Sequence, residues 1–114
     1  MFISADADIN INTTDTVPEN TWTCAVATFT GLTQNATKSS KLYINGSVKV
    51  SQVTSANFRN GTITNGIIGR ARTQINNKWR KLVGKIAVVK VYSKQLSDSE
   101  VLQNYHALKS RFGL

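Results

Sequence analysis

Apolar residues alternate with polar ones over most of this chain and switch to a helical spacing only near its end. Residues 21–30 carry Trp22, Cys24 and Val26 on one face and Ala25, Ala27 and Phe29 on the other. Apolar on both faces, they predict a central strand. In residues 41–50, Leu42 and Ile44 alternate with Tyr43, Asn45-Gly46 supplies a turn at positive φ, and Val48 and Val50 return, which predicts a hairpin. Residues 84–92, Gly-Lys-Ile-Ala-Val-Val-Lys-Val-Tyr, predict a further long, doubly apolar strand. The first segment alternates weakly through Ile9 and Ile11 and ends at Pro18, which suits an edge strand and a turn. Two more Asn-Gly pairs, at Asn60 and Asn65, bracket Thr62-Ile-Thr and lead into Ile67-Ile-Gly-Arg70. Polar stretches at 31–40 and 71–80 read as loops. Short strands between frequent turns point to an antiparallel sandwich or barrel.

The helix start can be read residue by residue. Ser97 is placed as N-cap with Glu100 three positions on, so each can satisfy an orphan N–H of the first turn. Leu96 before the cap can pack on Val101 as a hydrophobic staple. Val101, Leu102, Tyr105, Leu108 and Phe112 then recur at helical spacing, and Gly113 closes a helix over 97–112. Its single apolar stripe must dock on something, most simply on the end of the sheet.

A chain of 114 residues makes one domain, residues 1–114, with 1–20 as an edge strand or arm. The one cysteine, Cys24, leaves no intrachain disulfide and no cysteine framework for zinc. The first residues show no secretory signal, and no apolar run approaches the length of a membrane span. The net charge of +8 is uneven: four acids precede any base, then twelve bases run from Lys38 to Lys94 without an acid. That field favours an anionic partner, although bases on the solvated faces of alternating strands would produce the same balance.

These residues also carry a resemblance. The tryptophan-led strand from Trp22 to Phe29, the hairpin Lys41-Leu-Tyr-Ile-Asn-Gly46 and the stretch Ile67-Ile-Gly-Arg-Ala71 stand in a specific order. They are followed by residues 84–92, Leu96-Ser-Asp-Ser-Glu100 and Asn104-Tyr105. The set resembles the concanavalin A-like, laminin-G-type jelly-roll superfamily, and its ending is most like the modules of tailed-phage structural proteins. The resemblance implies an all-β, two-sheet antiparallel jelly-roll sandwich with one short C-terminal α-helix. Such modules usually run longer before the tryptophan, so the expected sandwich is either minimal or completed by a neighbouring chain. The fold alone does not name a function, because it hosts lectins, hydrolases and structural modules.

A glycan hydrolase needs two carboxylates about 5–10 Å apart, and no acid occurs between Glu19 and Asp98. Glu100 serves its cap and Asp98 complements the helix dipole, so the chain is expected not to be an enzyme. His106, off the apolar stripe, reads as a solvated residue, and Cys24 as a buried, inert one. Asp6, Asp8 and Asp15 with Asn10 and Asn12 offer oxygen ligands for Ca2+. Most of them also fit the solvent face of an edge strand, so no cofactor is expected and Ca2+ is the alternative. The sequons at Asn12, Asn35, Asn45 and Asn60 read as incidental.

The partner-binding candidates are Arg70, Arg72, Lys78, Trp79, Arg80 and Lys81 in the basic stretch, together with Tyr43. A tryptophan among cations can stack on a sugar or anchor a protein contact. A single aromatic residue falls short of the series that single-stranded nucleic acid requires. The expected function is therefore a non-catalytic structural or interaction module on a virion surface, such as a capsid decoration (cement) protein or an adhesin module. It would form homo-oligomers and bind a major capsid protein or sister subunits. The alternative is a carbohydrate-binding module, extracellular or at a cell surface, reading an acidic glycan.

Overall fold

The computed structural model describes residues 2–3, 9–10, 13–14, 16–30, 38–54, 68–75 and 78–114, with backbone alone at 2–3, 9–10, 38, 54, 70–75 and 78–80. The chain forms two compact units, one of Met1–Arg59 with Tyr92–Leu114 and one of Asn60–Val91.

In the first unit β1 (Phe2–Ile3) pairs antiparallel with β2 (Ile9–Asn10). A separate three-stranded antiparallel sheet has the order β3 (Ala25–Phe29), β4 (Lys38–Ile44), β5 (Ser47–Thr54). Its register sets Val26 opposite Tyr43, and Tyr43 opposite Val48. The predicted hairpin is present and longer than expected. Asn45 (φ 50°) and Gly46 (φ 78°) both take the left-handed conformation of a type I′ turn, whose twist matches the flanking strands. Asn45 also ties the turn to the sheet. Its side-chain oxygen accepts the Cys24 N–H at 2.9 Å, and its own N–H donates to the Cys24 carbonyl at 2.9 Å. The asparagine of that sequon is thus a structural turn residue.

Helix α1 (Asp98–Phe112) begins and ends as the residues predict. The Ser97 hydroxyl accepts from the Glu100 N–H while the Glu100 carboxylate accepts from the Ser97 N–H, completing the capping box. Gly113 closes the helix at φ 66°, its N–H donating to the Lys109 carbonyl. Leu96 and Val101 meet in one buried cluster with Tyr43, and Val26 packs against it. The helix therefore lies on the face of the sheet that carries Tyr43, and this is the core of the first unit among the described residues.

Three strand and loop expectations are corrected. The strand expected to be central, β3, pairs only with β4 and so stands at an edge of its described sheet. Of its apolar residues Val26 packs on the core cluster while Ala25 and Phe29 are exposed, so apolar character on both faces does not report pairing at both edges. The stretch read as a basic loop at 71–80 is a hairpin of β6 (Arg70–Ile75) and β7 (Lys78–Lys81), with Gln74 opposite Trp79 and Ile75 opposite Lys78. Its strands hold few large apolar residues, so hydrophobic alternation carries almost no signal there. Residues 84–92, read as a long strand, form no paired strand. Alternation states which faces a segment could bury, whereas a strand also needs a partner for its backbone.

Described strands therefore amount to one three-stranded sheet and two short pairs, beside one helix. The expected turns at Asn60 and Asn65 and the loop at 31–37 lie outside the described residues.

Candidate binding surface

The anchoring of the helix on the sheet decides which side chains remain for binding. Asp98, in the first helical turn, accepts both the Lys41 ammonium (2.7 and 3.0 Å) and the Tyr43 hydroxyl (2.7 Å). Glu100, besides its capping role, accepts from Lys94. Lys41, and then Tyr43, hold the Asp98 carboxyl below its ordinary value. The Lys94 ammonium and the Ser97 N–H bring Glu100 down to about 2. Burial, and then the bond to Asp98, push the Tyr43 hydroxyl up. Both of these late-chain carboxylates are committed to holding the helix.

This arrangement has a pH signature. A carboxyl whose pKa is depressed by folding contributes stability above its unfolded value and loses it as pH falls through the folded one. Helix content should therefore start to fall as pH drops below the ordinary glutamate value of 4.5 and continue falling toward about 2. Glu100→Gln should flatten much of that slope in circular dichroism. An unchanged slope in the variant would mean that the cap carboxylate does not govern acid unfolding.

Tyr43 is corrected as a binding residue. Only 1% of it is exposed and its hydroxyl is held by Asp98, so its ring cannot stack on a ligand. Of the basic stretch, Arg70 and Arg72 lie on β6, and Lys78, Trp79, Arg80 and Lys81 on β7, with Arg70 opposite Lys81. The hairpin brings these cations onto two neighbouring strands, and Lys81 is exposed. Asp6, Asp8, Asn12 and Asp15 lie outside the described residues, and Asn10 is in β2. Among the described residues no three potential metal ligands cluster. His106 is exposed on the helix with its ring 5.5 Å from that of Tyr105. Cys24 is half-buried rather than fully buried.

The structure assembles a different surface, at the C-terminal end of the helix. Trp22, 38% exposed, has its ring centroid 5.5 Å from that of Phe112 at a 54° tilt. The Arg111 guanidinium lies 5.5 Å from the centroid of Phe112, and the Lys109 ammonium 6.0 Å from that of Tyr105. Arg111 and Lys109 are exposed. The exposed Trp22 and half-buried Phe112 offer stacking area beside the charge of Arg111 and Lys109, whereas Tyr105 is buried and offers none. In the sequence Trp22 was legible only as part of a strand and Phe112 only as part of a stripe. Ninety residues separate them, and no spacing rule connects a strand's start to a helix's last turn.

Comparison with known proteins agrees with this architecture. A model of the concanavalin A-like lectin/glucanases superfamily matches residues 1–102. No curated protein matches the chain. A crystal structure from an S-layer domain-containing protein of Clostridium thermocellum superposes with a TM-score of 0.57 at 18% identity, over 88% of this chain and 46% of that one. At that identity the likeness is one of fold, and the chain spans about half the length of the solved relative. With a match running from its first residue to within the C-terminal helix, the chain belongs to the concanavalin A-like lectin/glucanases superfamily.

Proposed function

We propose that the chain is a non-catalytic binding module that recognises an anionic carbohydrate at a surface outside the cell, through Trp22, Phe112, Arg111 and Lys109. The observation that carries this reading is the exposed Trp22 ring against a half-buried Phe112, with a guanidinium over the latter. Sugar rings present apolar C–H faces to aromatic residues, and uronic or phosphate groups pair with guanidinium. The engagement of Asp98 and Glu100 in anchoring the helix supports a non-catalytic role. The test is a glycan array followed by titration calorimetry on the best ligand. Trp22→Ala should weaken binding at least about tenfold, as expected for loss of one stacking ring. Arg111→Gln, which spares the Trp22–Phe112 packing, should weaken acidic ligands more than neutral ones. Binding lost on Trp79→Ala but kept in both variants would move the site to the β6–β7 hairpin, and an array without signal would remove the reading.

A second reading is assembly: a virion decoration protein, an adhesin module or a component of another surface layer, working by interface burial with sister subunits or a shell protein. The apolar residues of 85–91, exposed and without strand pairing, favour it. So does the fold shared with an S-layer domain-containing protein. Such a component should co-purify with particles in fixed ratio.

A further inference from the structure

We infer that residues 85–91 form a pairing strand whose partner is the same segment of a second copy of this chain, joined antiparallel across a two-fold axis. The inference rests on the assembly reading and names its partner.

The segment Lys-Ile-Ala-Val-Val-Lys-Val holds four β-branched residues in seven, a composition that favours strands. None of its residues belongs to a strand or helix, and no backbone hydrogen bond reaches them among the described residues. Val91 is 91% exposed, and Ile86, Val88 and Val89 stand exposed beside it. A run of this kind, its backbone unpaired among the described residues, is a template for another strand.

Charge and symmetry argue for a copy of itself. In a two-fold antiparallel pair the axis is perpendicular to the sheet, so facing residues must have numbers of equal parity. Lys85 and Lys90 differ in parity and can never face each other in such a pair. Centred on Val88, the pairing sets Val88 on Val88, Ala87 on Val89, Ile86 on Lys90 and Lys85 on Val91. Each lysine stem then covers an apolar neighbour while its ammonium reaches water. In this register no two like charges stand directly opposite, whereas centring on Lys85 or Lys90 would set a lysine against its own copy and oppose pairing.

The test uses the full chain in a Cys24→Ala background. Facing Cα atoms in an antiparallel pair lie about 4.5–5.5 Å apart, within the reach of a disulfide. Val88→Cys should therefore give a disulfide-linked dimer on mild oxidation. Ile86→Cys should not, since the two copies of that position would lie roughly 13 Å apart along the strand. Without cysteines, sedimentation equilibrium should show a dimer, and Val88→Lys should raise its dissociation constant at least about tenfold by setting two ammonium groups face to face. The monomer should keep its helix content, because Val88 is already exposed. A monomeric wild-type chain, or equal cross-linking at 86 and 88, would overturn the inference. A monomer that still binds glycan leaves the binding-module reading standing. A cross-linking dimer that never associates with particles removes the virion role and keeps the self-pairing strand.

Discussion

Replacing Tyr43 by alanine is expected to destabilise the sheet–helix unit by about 3–5 kcal/mol, the usual range for emptying a fully buried aromatic site. Tyr43 is the largest fully buried side chain among the described residues, 1% exposed, and it joins Leu96, Val101 and Val26 in one cluster. Its ring supports the helix, and its hydroxyl donates to Asp98 in that helix's first turn. Domains of this size are stable by about 5–15 kcal/mol in all, so the loss would leave a marginal or unfolded unit. Tyr43→Phe separates the two contributions. It keeps the ring and removes the hydroxyl, and should cost only about 1 kcal/mol. Urea titration followed at the helical band of circular dichroism reads both variants. Equal midpoints for them would mean that the ring's burial contributes little, contrary to this account.

Gly46→Ala should be the second large effect, about 2–5 kcal/mol. Two independent causes add. At φ +78° an L-residue strains its own backbone by about 1–2 kcal/mol. The new Cβ would also sit 2.9 Å from Cδ1 of Tyr105 and 3.0 Å from Cδ1 of Leu102, which forces the hairpin and helix apart at about 1–3 kcal/mol. Gly113→Ala is the control, because Gly113 is also left-handed at φ +66° but has nothing within 4 Å of the added carbon. It should show the backbone cost alone. If the two variants unfolded at the same denaturant concentration, the packing of the turn on the helix would contribute nothing.

Asn45-Gly46 was legible as a hairpin turn because a type I′ turn needs two residues at positive φ, and few dipeptides supply them. That the same glycine gives room to Tyr105 was not legible, since the two lie 59 positions apart and meet only when the helix docks. Asp98 shows the same division. Its place in the first turn predicts a favourable interaction with the helix dipole, whereas its bonds to Lys41 and Tyr43 depend on the helix lying across β4. Tyr43 itself read as a candidate sugar-stacking ring, because an alternating strand does not say which of its faces is covered. The pair formed by Trp22 and Phe112 had no sequence signal at all.

Residues 84–92 mark the limit most clearly. Their alternation is strong, and the apolar faces it describes are real, but pairing is decided by a second strand that the segment cannot specify. Local chemistry by itself determined the elements whose hydrogen bonds close within a few residues: the Asn45-Gly46 turn, the Ser97–Glu100 capping box and the Gly113 cap. The superfamily followed from the order of such elements. Only the tertiary structure decided which strand stands at an edge, which aromatic ring is buried and which faces solvent, and that Trp22 meets Arg111's neighbour Phe112. The physical reason is range: a cap or a turn satisfies its own backbone, whereas burial and pairing depend on groups brought together from distant parts of the chain.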